Sequence, residues 1–246
     1  MTDYEKIIAM WTEYNIKTVT DLNMRLDHFR VLFAYNSGKI ENPEITYQDT
    51  QDIFSNGRVN VFSGSAVTVV EIVNQRLIHK FLLPKIINKE PITIELIKEI
   101  HAITTNSTYD DRLFLQLGER PGSFKINDFV VGRNETGSAP EDVVTELTSL
   151  LEEVYDADNT FEPVKLLKMA SYFHAWFETI HPFADGNGRV GRTLMNYMLM
   201  SGGHPPLIVY DEDKHDYYAA LEMFRSEEQL EPLFGFFQLQ LEKTWK

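Results

Sequence analysis

Apolar residues along this chain of 246 residues recur mainly at intervals of three and four, the spacing that places them on one face of an α-helix. This periodicity predicts a mostly helical fold. Because no internal repeat, low-complexity tract or linker divides the chain, we expect one all-α domain over residues 1–246.

Helix boundaries follow from caps, prolines and glycines along the pattern. We predict helices at residues 4–14, 20–36, 46–56, 64–82, 163–180, 189–201, 212–225 and 229–244, and two more that begin at Thr93 and Pro140. Pro84 is expected to close the long helix that begins at residue 64, because proline cannot donate a backbone hydrogen bond. His101, in the helix that begins at Thr93, is interpreted as a core-edge or surface histidine and is assigned no function.

Helical periodicity fails between about residues 110 and 139. Phe124 to Gly132 has the composition of extended chain, and a turn-rich loop through Asn134 and Gly137 follows it. A small β-hairpin is the simplest interpretation. Since an isolated hairpin is only marginally stable, it either leans on the helices as a flap over a cleft or is an ordinary surface connection.

The composition narrows the classes of function. A hydrophobic content of 43% with 24% charged residues is typical of a globular protein. The net charge of −14 disfavours a nucleic-acid or membrane partner, although a basic pocket for one small anion is compatible with it. The chain has no cysteine, which excludes disulfides and thiolate chemistry and fits a cytoplasmic protein. No signal peptide or membrane-spanning apolar run is evident, so we expect a soluble protein.

Candidate chemistry is concentrated in residues 181–192. Gly186, Asn187 and Gly188 precede a predicted helix, and together they form a nest of amide donors suited to phosphate oxygens. Arg189 and Arg192 are three residues apart, so both planar guanidinium groups can reach the same side of the first helical turn.

Two further side chains in this stretch indicate a reaction. Asp185 would repel a bare phosphate, which is understandable if a magnesium ion lies between them. His181 can accept the proton of a hydroxyl group that attacks phosphorus at neutral pH. With no candidate covalent nucleophile, the arrangement predicts direct transfer of a phosphorus group from a magnesium nucleotide to an acceptor.

The stretch resembles the Fic domain signature, His-x-Phe-x-Asp/Glu-Gly-Asn-Gly-Arg-x-x-Arg. Every fixed position is filled, by His181, Phe183, Asp185, Gly186, Asn187, Gly188, Arg189 and Arg192. The resemblance implies a Fic-type helical bundle whose only strands form a β-hairpin flap. It also implies transfer of AMP from ATP to a Ser, Thr or Tyr hydroxyl of a target protein, with release of pyrophosphate.

The resemblance also implies a role for each motif residue. His181 would deprotonate the target hydroxyl, and Asp185 would hold Mg²⁺. The α- and β-phosphates of ATP would be bound by Gly186, Asn187, Gly188 and Arg189, and the γ-phosphate by Arg192. Target docking is implied for the flap residues Phe129, Val130, Val131 and Gly132, and the adenine pocket for Tyr217 and Tyr218.

The same family resemblance implies a role for an earlier segment. Ser37 and Glu41 are four residues apart. By themselves they are equally compatible with a functional site and with a solvated helix end. However, Ser37-x-x-x-Glu41-Asn42 resembles the Fic inhibitory motif, in the class that carries it on an N-terminal helix. Glu41 would then pair with Arg192 and exclude the γ-phosphate. The implied organisation is N-terminal helices at about residues 1–60, with the inhibitory segment at 37–42, and a catalytic core at about 90–225 that includes the flap at 120–137.

Several alternatives stay open from the sequence. The implied partners are ATP and a target protein that could be the chain itself, and a homo-oligomer is compatible with both. Relatives that transfer other phosphorus groups, or that remove AMP from a modified protein, provide a second enzymatic hypothesis. A nucleotide-sensing regulatory module is the alternative of another class, and the intact His181 counts against it because a sensor needs no base.

Overall fold

A computed structural model of the chain describes residues 2–59, 64–131, 135–156 and 162–246. The α-helices in these ranges are α1 (Asp3–Glu13), α2 (Val19–Arg25), α3 (Asp27–Glu41), α4 (Tyr47–Asn56), α5 (Ala66–Ile87), α6 (Ile94–Thr104), α7 (Val143–Asp156), α8 (Pro163–Ile180), α9 (Asn187–Ser201), α10 (Lys214–Glu227) and α11 (Glu231–Trp245). The mostly helical prediction is confirmed. Within these same ranges, no helix has both the length and the apolar character needed to cross a membrane.

The irregular region between α6 and α7 contains a π-helical segment, Arg112–Gln116, and two short strands. Strands β1 (Val130–Val131) and β2 (Glu135–Thr136) pair in antiparallel fashion, with Val130 opposite Thr136 and Val131 opposite Glu135. Gly132, which the sequence assigns to the flap, lies outside the described residues. The flap role of this region stays a prediction.

The predicted helix at residues 20–36 is wrong in its bounds, because the chain forms two helices there. The break falls at Leu26, which ends α2 and precedes α3 with φ −89° and ψ 5°. Leu22, Leu26 and Phe29 are nevertheless all buried, so the apolar spacing continues across the break and conceals it. α3 then runs on to Glu41, which places the residues from Ser37 onwards in its last turns.

The prediction that Pro84 closes α5 is also wrong, because the helix continues to Ile87. Pro84 stands in the last turn, where a missing N–H removes only one hydrogen bond of the helix. The carbonyl group that loses this bond belongs to Lys80, an exposed residue, so water can solvate it. Meanwhile Leu82, Leu83 and Ile86 keep this end of the helix in the core.

Helices α8 and α9 form the centre of the molecule. Almost every side chain of α9 is buried, and α8 contributes Phe173 and Phe177 to the same hydrophobic core. α7, α10 and α11 pack against α8, whereas α3, α5 and α6 pack against α9. The turn that connects α8 to α9, residues 181–186, is therefore held between the two most deeply embedded helices, with the C-terminal end of α3 beside it.

Candidate active site

The turn from α8 to α9 has an unusual backbone at both ends. His181 ends α8 in the left-handed conformation, with φ 51° and ψ 63°, and its N–H donates to the Phe177 carbonyl at 3.0 Å. Gly186 precedes α9 with φ 82°, which a residue with a side chain rarely adopts. A left-handed conformation at a residue other than glycine is uncommon and often marks a functional site.

The side chain of Asn187 stabilises this turn from within. Its Oδ1 accepts the Phe183 N–H at 2.9 Å, and its Nδ2 donates to the Phe183 carbonyl at 2.8 Å. Nδ2 also lies 3.2 Å from the ring nitrogens of His181. The amide side chain therefore supports the turn and the imidazole. In the described part of the chain the backbone N–H of Asn187 has no acceptor, so this group is available to a phosphate.

His181 is held in its neutral form. Burial lowers the pKa of its imidazole to about 3, and the positive charges of Lys125 and Arg225 act in the same direction. A neutral imidazole retains a lone pair at neutral pH and can accept a proton from a hydroxyl group. The imidazole of His181 is thus unprotonated at neutral pH, which a proton acceptor requires.

Both arginines of the motif are buried and paired with carboxylates. Arg189 donates from Nη1 to Glu71 Oε1 at 2.7 Å and from Nη2 to Asp185 Oδ2 at 3.0 Å. Glu71 lies on α5 and is nearly buried, whereas the Asp185 side chain is 46% exposed. Arg189 therefore has one fixed partner and one that solvent, or a ligand, can reach.

Arg192, which is 1% exposed, contacts the last turns of α3. Its Nε donates to Ser37 Oγ at 3.0 Å, while its Nη2 donates to the Ser37 carbonyl and to Glu41 Oε1, both at 2.8 Å. Although burial favours the neutral guanidine, the charge of Glu41 raises the pKa of Arg192 above its ordinary value. The structure thus places both Ser37 and Glu41 at Arg192, the arginine with which the family resemblance pairs Glu41.

Gly188 leaves space for the Glu41 carboxylate. A Cβ atom added at residue 188 would lie 2.4 Å from Glu41 Oε1 and 2.9 Å from Arg192 Nη1, both well inside van der Waals contact. The carboxylate therefore lies directly against the amide-rich turn at the start of α9, where an anion is favoured by the helix dipole.

Asn42 extends the contacts of residues 37–42 to the other arginine. Its Nδ2 donates to Glu71 Oε2 at 2.6 Å and to Thr68 Oγ1 at 3.0 Å. Since Glu71 also binds Arg189, residues 37–42 contact Arg192 directly and Arg189 through one intermediate carboxylate.

Glu71 is a site residue that the sequence reasoning missed. Helical spacing of the apolar residues Val70, Val73, Leu77 and Phe81 predicts that they form the inward face of α5, yet Leu77 is exposed. The buried face instead includes polar residues three and four apart, namely Thr68, Glu71, Asn74 and Gln75, of which Glu71 is nearly buried. Such a polar stripe on an otherwise apolar helix was the available signal.

A magnesium ion can be accommodated by Asp185 only together with a ligand. Among the described ranges there is no group of three or more His, Asp or Glu side chains that could hold a metal ion. Mg²⁺ commonly uses one or two carboxylates and completes its shell with water and substrate phosphates. The single, half-exposed Asp185 carboxylate fits this mode of binding and does not fit a cage made by the protein alone.

The two ends of the predicted flap, called its roots below, adjoin His181. Lys125 N–H donates to the Pro182 carbonyl and Ser138 N–H to the Ile180 carbonyl, both at 3.0 Å, so one bond lies on each side of residue 181. A Cβ added at Gly137 would lie 2.7 Å from His181 Cβ. Phe129 is half-buried on the segment between these roots.

The two tyrosines assigned to an adenine pocket differ in exposure. Tyr217 is buried, and its hydroxyl group lies 2.7 Å from His174 Nε2. Tyr218 is exposed and is therefore the one whose ring a ligand can reach.

Nearby, Glu178 is buried with Oε1 lacking a partner among the described residues, and burial raises its pKa to about 7.

Residues 91–199 match the model of the Fic/DOC family. The chain is similar to protein adenylyltransferase Fic of Nematostella vectensis, with 31% identity over 189 residues that cover 76% of this chain and 41% of that protein. It is also similar to protein adenylyltransferase fic-1 of Caenorhabditis elegans, with 28% identity over 204 residues, or 81% of this chain and 37% of that protein. The chain thus spans about two fifths of the length of these curated relatives.

Solved structures share the fold. A Fic domain containing signaling protein from Bacteroides thetaiotaomicron matches with a TM-score of 0.82 and 23% identity, over 99% of this chain and 94% of that one. Fic-1 from C. elegans matches with a TM-score of 0.78 and 23% identity, over 98% of this chain and 69% of that one. The predicted Fic-type arrangement of helices is confirmed by these matches.

Proposed function

Residues 91–199 form a domain of the Fic/DOC family, and on this basis we propose that the chain transfers AMP from ATP to a hydroxyl group of a protein. The observation that carries the proposal is the turn from α8 to α9. It joins a neutral, buried histidine to a series of free backbone amides and to two buried arginines. The relatives named protein adenylyltransferase support the same reaction.

The reaction follows from the positions of these groups. The hydroxyl oxygen of the target attacks the α-phosphorus of ATP, and its proton passes to the neutral ring of His181. The new bond joins this oxygen to the α-phosphorus, while the bond from the α-phosphorus to the bridging oxygen breaks and pyrophosphate leaves. Free amides at the start of α9, together with Arg189, stabilise the negative charge on the α- and β-phosphates.

Mg²⁺ is the metal proposed for Asp185. When bound, the ion would offset negative charge on the phosphates. Asp185 would then exchange its exposed ion pair with Arg189 for the metal, whereas Glu71 would continue to orient the guanidinium group.

Target docking is proposed for the segment that carries Phe129 and β1. An extended segment of the target would add to this strand through backbone hydrogen bonds. Because the roots of the strand pair are bonded on both sides of His181, a docked segment would be held close to the base. Tyr218 is proposed to contact the adenine, since its ring is exposed.

Autoinhibition is proposed for residues 37–42. Glu41 occupies the guanidinium group that the γ-phosphate of ATP needs, and the two anions cannot share it without repulsion. Asn42 reinforces this state, in which Glu41 is bound to Arg192, through its hydrogen bond to Glu71. ATP bound in this state would lack its γ-phosphate contact and would be placed unproductively.

Labelled ATP tests the proposal. The Glu41→Gly protein is incubated with Mg²⁺ and ATP labelled either at the α- or at the γ-phosphorus, and protein-bound label and intact mass are measured. We expect α-label and the mass of one AMP group to appear on the protein itself, and no γ-label. Incorporation of γ-label would indicate phosphate transfer instead, and a protein that binds ATP without any transfer would contradict the proposed function.

A further inference from the structure

His101 lies directly beneath the turn that binds the phosphates. It is 0% exposed, in the last turn of α6, and its ring stacks on that of Phe183 with centroids 3.7 Å apart and planes inclined by 3°. Its Nδ1 accepts the Gly122 N–H at 2.8 Å, and its Nε2 donates to the Asp185 carbonyl at 3.0 Å. The hydroxyl group of Tyr109 lies 3.4 Å from Nε2. Since a backbone N–H can only donate and a carbonyl can only accept, one neutral tautomer satisfies both backbone contacts.

The contact with the Asp185 carbonyl determines where the next amide points. A trans peptide is planar, so its N–H is directed opposite to its C=O. No cis peptide bond is present in the described ranges, so the Gly186 N–H points away from His101 and α6. The turn is also pressed against α6, because a Cβ added at Gly186 would lie 2.7 Å from Thr105 Cγ2.

The amides that follow this peptide are free, as the first amides of a helix are. The first amide of α9 with a backbone acceptor is that of Val190, which donates to the Gly186 carbonyl at 3.0 Å. The contribution of His101 is to hold the Asp185 carbonyl, and with it the peptide from which these amides start. The N–H groups of residues 187–189 are left without a backbone acceptor in the described part of the chain.

We infer that His101 is a positioning residue, which fixes the Asp185–Gly186 peptide so that the amides at the start of α9 face the phosphates of the nucleotide. The inference rests on the proposed function. His101 does not touch the reacting atoms, and it acts through Asp185 and Gly186. Through Gly122 it also connects this peptide to the segment that leads into the flap, so the phosphate site and the docking strand share one support.

Gly122 is suited to this support. It has φ 80°, and a Cβ at this position would lie 2.9 Å from Ala102 Cβ, so the backbone approaches α6 more closely than a side chain permits. Three residues later, the Lys125 N–H donates to the Pro182 carbonyl in the motif turn. The segment from Gly122 to Lys125 therefore contacts both α6 and the turn.

Two substitutions of equal polarity separate positioning from packing. In the Glu41→Gly parent, His101→Gln keeps a donor near the position of Nε2, whereas His101→Asn keeps an acceptor near that of Nδ1. Both lose the ring stack on Phe183 and one hydrogen bond, so their melting temperatures should fall by similar amounts. We expect His101→Gln to bind Mg²⁺ and α,β-methylene-ATP within about threefold of the parent, and His101→Asn to bind about tenfold more weakly.

The transfer rate is measured in the same variants and should follow the affinity. Equal weakening in His101→Asn and His101→Gln would show that only packing matters and would overturn the inference. If the parent binds the analogue but transfers no AMP from ATP, the proposed function fails, and the comparison of the two variants still decides the role of His101.

A measurement on the unaltered chain avoids dependence on the folding of the variants. NMR of the ¹⁵N-labelled imidazole should show that the His101 proton is on Nε2 at neutral pH. The amide resonance of Gly186 should shift when the analogue and Mg²⁺ are added. A proton on Nδ1, or a Gly186 amide that does not respond to bound nucleotide, would overturn the inference.

Discussion

Replacing Glu41 by glutamine should activate AMP transfer and at the same time destabilise the protein without nucleotide. The substitution preserves the size of the side chain and an oxygen that can accept from Arg192, and it removes only the charge. Because Arg192 is 1% exposed and keeps its two bonds to Ser37, the guanidinium group should stay in place. What changes is the strength with which α3 competes against the γ-phosphate.

The size of the effect follows from one hydrogen bond. Glu41 Oε1 accepts from Arg192 Nη2 at 2.8 Å, and the glutamate side chain is 34% exposed. A bond to a charged partner contributes about 1.5–3 kcal/mol and a neutral bond about 0.5–1.5 kcal/mol. Solvent screening at Glu41 favours the lower part of this difference, about 1 kcal/mol. ATP should therefore bind about fivefold more tightly to Glu41→Gln, and the melting temperature without ATP should fall by about 2–4 °C.

Calorimetric titration with Mg²⁺ and α,β-methylene-ATP, thermal unfolding, and transfer of α-labelled AMP measure the three consequences. Saturating nucleotide should remove the deficit in melting temperature, because the γ-phosphate then supplies the missing anion. Asp27→Asn is the matched control, since it removes one negative charge from the same helix where the carboxylate pairs with Arg30 and not with the motif. Unchanged affinity and transfer in Glu41→Gln would refute competition for Arg192.

Three further substitutions test the site. His181→Asn should lower AMP transfer by at least about 100-fold with the ATP affinity retained, and asparagine tolerates the left-handed backbone there, so undiminished labelling would exclude His181 as the base. Asp185→Asn, or removal of divalent metal by a chelator, should abolish transfer, and persistence of labelling under both conditions would contradict a metal at Asp185. Burial raises the pKa of Glu178 from 4.5 to about 7, so the unfolded chain loses this proton first and stability is lost as the pH rises through that window. Thermal unfolding should therefore give Glu178→Gln a higher melting temperature than the wild type at about pH 8 and no advantage near pH 4, and equal values at both would contradict this account.

The turn from α8 to α9 could be predicted because its residues are contiguous. Residues 181–192 carry His181, Asp185, the glycines and both arginines on one connection, so local spacing alone places them together. The helical class was equally accessible, since packing on a core requires the periodicity that the sequence shows. Distances between helices were not accessible, and the contact of Glu41 with Arg192 came only from the family resemblance.

Residues that act singly from other helices escaped prediction. Glu71 belongs to a polar stripe on α5, but only its partners Arg189 and Asn42 reveal why it is nearly buried. His101 was interpreted as a core-edge or surface residue, but the structure places it fully inside, with both ring nitrogens bonded to backbone groups. A single polar residue has no period, so its role depends on tertiary contacts that spacing cannot express.

The location of Glu41 at the very end of α3 affects how quickly the proposed regulation can occur. The last turn of the helix is itself fixed, because Ser37, Gly38 and Ile40 are buried. The Glu41 side chain is 34% exposed, and one hydrogen bond joins its carboxylate to Arg192. In the proposed regulation, release of Glu41 would therefore require rotation of one side chain and no unfolding of the helix end. Rotamer changes of accessible side chains take on the order of nanoseconds, so such a release would be far faster than a typical enzyme turns over.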